Sequence, residues 1–156
     1  MATLATPRRR RAGASVIEFA LLAPWIIFLF VGAYDWGFYA HALISTENAA
    51  RIAALYGANL SGGNVSSATA CNIVLQELSI SSNVTGLSTC TGPVSTSQPV
   101  VVNLTCTTLD SVNSIQVAVT YQTVQLIPIP GLLAGKTTIY RVAQLPMKTN
   151  SSCTTS

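Results

Sequence analysis

Between Val16 and Tyr34 the chain reads VIEFALLAPWIIFLFVGAY, an apolar run broken by one charge, Glu18, and one proline, Pro24. Its length matches the roughly 20 residues that a helix needs to cross a ~30 Å hydrocarbon core. Arg8, Arg9, Arg10 and Arg11 immediately precede it, and a basic cluster on that flank holds the N-terminus in the cytoplasm. Asp35 and everything after it are then expected on the other side. The 156 residues leave room for one small domain beside this span. Only 8% of the chain is charged, against about 25% in an ordinary soluble protein, as expected where part of a chain sits in lipid or against other subunits. The formal charge of +3 does not signal nucleic acid. The four leader arginines are half of the eight basic residues, so the remainder carries four basic groups against five acidic ones and has no basic face.

Cys71, Cys90, Cys106 and Cys153 all follow the apolar run. No pair has C-x-x-C spacing and the single histidine, His41, lies far away, so disulfides fit better than a zinc site. Disulfides require an oxidising compartment, which agrees with the orientation set by the arginines. Three pairings are open, and Cys153, in a polar tail, can equally be free.

The helix is expected to outrun the membrane. No proline occurs from Asp35 to Tyr56, and Ala42, Ser45, Ala49, Ile52, Ala53 and Tyr56 recur at three- and four-residue steps. The first stop signal is Gly57, before the turn-rich stretch Asn59 to Ser67. From there serine, threonine, asparagine and β-branched residues favour strands and turns. Ser67 to Leu78 reads as a short amphipathic helix and Val100 to Cys106 as a strand. Ser114 to Val124 alternates Ile115, Val117, Val119 and Tyr121 with Gln116, Ala118, Thr120 and Gln122, the clearest strand pattern in the chain. Pro128, Pro130 and Gly131 turn it, and Lys136 to Leu145 returns, making a wide-looped hairpin. The expected fold is therefore α+β. Residues 1–13 form a basic leader and 14–57 a helix whose membrane span is about 16–34. Residues 58–148 form a small extracytoplasmic antiparallel β domain with one short helix, and 149–156 a disordered tail.

Glu18 is the sharpest chemical signal. A carboxylate within a span costs roughly 2.5–3.5 kcal/mol and calls for a partner, yet the span holds no lysine, arginine or histidine. Cleavage between Gly13 and Ala14 would create an α-ammonium at Ala14, which could neutralise Glu18 of an adjacent subunit. The plainer alternative is a shallow Glu18 snorkelling to water or to the arginines. The span alone weighs the two equally. Pro24 removes a backbone donor; it could soften the helix during extraction, or simply be tolerated as prolines in membrane helices often are. Trp25, Tyr34, Trp36, Phe38 and Tyr39 fit interfacial belts, the last four at the outer surface. Asp35 and Arg51 can be solvated or bridged between helices.

The basic leader, Gly13, then Glu18 and Phe19 ahead of a hydrophobic helix, resemble the signal of type IV pilins. More narrowly, FALLAP from Phe19 to Pro24, with Gly32, Asp35, Gly37 and NAAR from Asn48 to Arg51, resembles the TadE-like pseudopilins of tight-adherence (Flp pilus) systems. The likeness is strong over Arg10 to Tyr56, patchy over Val117 to Pro146 and absent between. Ile52 departs from the family pattern, and four cysteines are no family constant. The resemblance implies a non-enzymatic subunit of the cytoplasmic membrane. A prepilin peptidase would cut after Gly13, and assembly with other pilin or pseudopilin subunits would use Glu18, Phe19 and Pro24, in a pilus, in adhesion or in secretion. Membrane lipid is the other expected partner; no cofactor, metal or small-molecule substrate is implied.

Several apparent motifs fail on inspection. GLLAGKT at Gly131 to Thr137 has three residues between its glycines where a phosphate-binding loop has four, and a strand rather than a helix follows. Asn59, Asn64, Asn83, Asn103 and Asn150 open N-x-S/T sequons, which arise by chance in so serine- and threonine-rich a chain. No catalytic constellation is visible. Two other readings remain: a secreted or single-pass protein with an ordinary Sec signal, cut after Ala33 or Ala42, and a single-pass glycoprotein supported only by the sequons. A glutamate near the start of a signal's apolar region counts against the first.

Overall fold

The computed structural model describes residues 14–59, 64–109, 111–124, 127, 135–147 and 154–155. The basic leader with Gly13, the turn at Pro128, Pro130 and Gly131, and Cys153 lie outside the described residues. The chain divides into two compact units, Met1–Trp36 and Gly37–Ser156.

In the first unit the described structure is the apolar half of α1 (Ala14–Asn59). Side chains that a soluble protein would bury are bare here: Phe19 is 67% exposed, Leu21 71%, Trp25 69% and Phe30 73%. Only a non-aqueous surrounding or other subunits make such a surface stable. This is the one helix among the described residues that is long and apolar enough to span a bilayer, which suggests a single-pass membrane protein, and the fold is α+β.

In the second unit the outer half of α1 covers a three-stranded antiparallel sheet, in the order β2 (Val100–Leu109), β3 (Val112–Gln122), β4 (Thr138–Pro146). The alternation in β3 sorts its side chains as expected: Ile115, Val117, Val119 and Tyr121 are buried, and the residues between them are only partly covered. Register brings Val100, Val102, Leu104 and Cys106 of β2 opposite Tyr121, Val119, Val117 and Ile115. Ile139, Ala143 and Leu145 of β4 flank the same row. The result is one apolar face. β2 and β3 are joined tightly, with Leu109 paired to Val112 and Ser111 in the left-handed region at φ 66°.

Gly57 is not where the helix stops. α1 continues to Asn59, and a Cβ on Gly57 would overlap Ile115 Cδ1. The glycine lets the helix backbone approach the sheet. The buried stripe on α1 is Ala42, Thr46, Ala49, Ala50, Ala53, Ala54 and Ala58. Ser45 is only half-buried, while Ile52 and Tyr56, also expected on that stripe, face outward. Close approach of a helix to a sheet favours the smallest side chains over the most apolar ones. From Ala42 to Gly57 the helix rises ~22 Å, and Tyr121 back to Ile115 spans ~20 Å of strand. Helix and strand thus run alongside each other, Ala42 near Tyr121 and Gly57 at Ile115.

The helix α2 (Ser67–Glu77) adds Ala70, Cys71, Val74 and Leu75 to the core, and Leu78 caps it. Cys71 is bonded to Cys90, one of the three open pairings. Val102 N donates to Cys90 O, so the disulfide ties α2 to the outer edge of β2. Cys106 is also disulfide-bonded. The tail is not wholly without structure. Short strands β1 (Asn64–Val65) and β5 (Thr154–Thr155) pair in parallel, and β-branched threonine suits such an extended pairing.

Candidate functional site: the membrane helix and its exit

Each residue marked for assembly sits on α1. Glu18 and Phe19 are exposed on its first turns, and Pro24 lies within it. Pro24 leaves the Ala20 carbonyl without its donor four residues on. Glu18 is in no salt bridge among the described residues. A carboxylate exposed on a helix that is itself apolar on every side is stable in lipid only beside a cation or near the interface. Ala14 opens the described helix one turn before Glu18. The described residues do not include Gly13 itself.

The two charges left open at the helix exit separate. Arg51 bonds Glu47 at 2.8 Å, one turn away on the same helix, in an exposed pair worth only a few tenths of a kcal/mol. Asp35 is 3% exposed, and its Oδ2 accepts no hydrogen bond among the described residues. Sequence reasoning missed this burial, because the neighbours of Asp35 on the chain, Tyr34 and Trp36, are exposed and no periodicity marks it.

At the Tyr121 end of the sheet a cavity of about 200 Å³ opens between Phe38, His41 and Ala42 of α1, Ile80, Ser81 and Ser82 after α2, and Tyr121, Thr123 and Val124. The segment after α2 is held rather than loose. Tyr121 Oη donates to Asn83 Oδ1 at 2.9 Å, and Asn83 Nδ2 donates to Gln122 O at 2.8 Å. Ser81 N bonds Leu78 O, and Val84 N bonds Ser81 O. The Asn83 amide is thereby committed inside the protein, which argues against glycosylation at that sequon. A second, more open groove of about 510 Å³ runs between Glu47, Arg51 and Leu55 of α1 and Arg141 to Leu145 of β4. β4 pairs with β3 on one side and with no strand on the other among the described residues.

The family model described as TadE-like protein matches residues 13–55. The match opens on Gly13, takes in Glu18, Phe19, Pro24, Asp35 and Arg51, and ends before the strands. No curated protein and no solved structure matches the chain.

Proposed function

We propose that this chain, a TadE-like protein over residues 13–55, is a non-enzymatic pseudopilin or minor pilin subunit of a Tad pilus system, stored in the cytoplasmic membrane and drawn from it into an assembly. The observation that carries this reading is the apolar half of α1, exposed on every side and marked by Glu18 near its start. In this reading a prepilin peptidase removes the basic leader after Gly13, on the cytoplasmic side. The Ala14 amine of one subunit then neutralises Glu18 of another, so the cost of the carboxylate in lipid is relieved only on assembly. Phe19 and its apolar neighbours supply packing between helices, and Pro24 supplies a point where the helix yields. The disulfide-tied β domain is carried outside the membrane.

Glu18→Ala is expected to leave membrane insertion unchanged and to abolish incorporation into a pilus or secretion complex. Normal incorporation of the mutant would sink the assembly role. Gly13→Glu is expected to keep the chain at its precursor mass, and a mature mass for that variant would refute the cleavage site. Against an ordinary Sec signal, the Ala42 carbonyl accepts a 2.7 Å hydrogen bond from Thr46 Oγ1 within a continuous helix, and Ala42 is part of the core. A signal peptidase cut after Ala42 would break that packing. N-terminal sequencing of the mature protein separates the readings: Ala14 supports the pseudopilin, a residue after Ala33 or Ala42 supports the Sec signal.

A further inference from the structure

Ile80 is 80% exposed, more than any other large apolar side chain described in the domain. Its loop is anchored by Asn83 to Tyr121 and Gln122, so the exposure belongs to a fixed surface. Ile80 shares the wall of the 200 Å³ cavity with Phe38, itself 46% exposed. Phe38 follows Trp36 by two residues, so the chain alone keeps it within about 7 Å of that position. Tyr34 and Trp36 are the exposed aromatic residues at the outer end of the span and mark the headgroup level. Chain connectivity therefore keeps Phe38, and with it Ile80, within a turn or so of the bilayer surface. The polar groups around the cavity, His41, Ser81, Ser82 and Thr123 among them, are donors and acceptors of the kind that hydrogen-bond lipid headgroups, and no acid lines it among the described residues. An exposed isoleucine beside such groups fits an interfacial zone better than bulk water.

We propose that the Ser79–Ser82 loop is a second membrane contact: Ile80 inserts into the outer-leaflet interface beside Phe38, and the serines meet the headgroups. The loop would hold the β domain down on the bilayer while the subunit is stored, and extraction of α1 would have to peel it away. This rests on the reading of α1 as a membrane span, and the test keeps the two apart.

Three single-tryptophan forms of the full chain are reconstituted into phosphatidylcholine vesicles whose acyl chains carry no bromine, bromine near the headgroup, or bromine near the chain end. The first keeps Trp25 and carries Trp36→Phe. The second carries Trp25→Phe, Trp36→Phe and Ile80→Trp; the third replaces Ile80→Trp by Val112→Trp. Val112 is 46% exposed at the far end of β3, ~30 Å from Tyr121 along the strand. Position 80 tolerates the change because so little of it is packed, and an intact Cys71–Cys90 bond verifies folding. Deep bromine is expected to lower emission about twofold at position 25, in the middle of the span, shallow bromine to do so at position 80, as for a side chain at interfacial depth, and neither to change position 112. Quenching at 25 without quenching at 80 overturns the loop contact and leaves the span standing. Absence of quenching at 25 overturns both. Equal quenching at 80 and 112 also overturns it, because the domain would then lie on the membrane without a specific contact.

Discussion

Gly57→Ala is a small change whose sign is decided by one methyl group. In an exposed helix interior, alanine stabilises over glycine by ~1 kcal/mol. Here the new Cβ would overlap Ile115 Cδ1, while Val65 Cγ1, at 3.4 Å, stays in ordinary contact. Ile115 is fully buried, and in a close-packed interior its Cδ1 can turn aside only against other side chains. Overpacking of this kind costs about 1–3 kcal/mol, which outweighs the helix gain and leaves Gly57→Ala net destabilising by about 1 kcal/mol. Ile115→Val removes the offending Cδ1 and by itself costs about 0.5–1.5 kcal/mol. In that background Gly57→Ala should become stabilising by up to ~1 kcal/mol. The double-mutant cycle should thus show a coupling of about 2 kcal/mol. Urea unfolding of the detergent-solubilised chain, followed by near-ultraviolet circular dichroism, reads the packed domain rather than the micelle-embedded helix. If Gly57→Ala costs the same in both backgrounds, the close approach of α1 to β3 at Ile115 is not the reason for the glycine.

Cys71→Ser should lower domain stability by ~3 kcal/mol in urea, from the chain entropy released by opening a loop of sequence separation 19; an unchanged midpoint would show that the bond is incidental. Tyr121→Phe leaves Asn83 Oδ1 without its donor and should cost about 1–2 kcal/mol, with faster amide exchange over residues 79–83; exchange unchanged there would mean that other contacts hold the loop. Ser111→Gly relieves the left-handed φ of 66°. Because glycine also loses more freedom on folding, the net gain should be only about 0.5 kcal/mol, and a loss of stability would contradict the turn geometry.

Much was legible in the sequence because it depends on local period and on solvent. The span needs only length and apolarity, and its exposed surface on α1 follows directly. β3 was readable because strict alternation has a single reading, and α2 because its apolar residues recur at helical steps. Glu18 stands out in the sequence because a carboxylate in an apolar run is costly, and its role belongs to the proposal. Tertiary structure decided what depends on a partner distant in sequence. Gly57 looks like a helix stop by composition, but the approach of Ile115 makes it a packing position inside the helix. The buried stripe on α1 follows the smallest residues rather than Ile52 and Tyr56, because the distance from helix to sheet limits side-chain size. Cys71 pairs with Cys90 because α2 and the strand edge meet, which spacing cannot specify. Asp35 looked like an ordinary residue at the helix exit, and only the folded chain shows it buried. The long apolar helix was written in the sequence; the surface that its C-terminal half presents to the sheet was settled by packing.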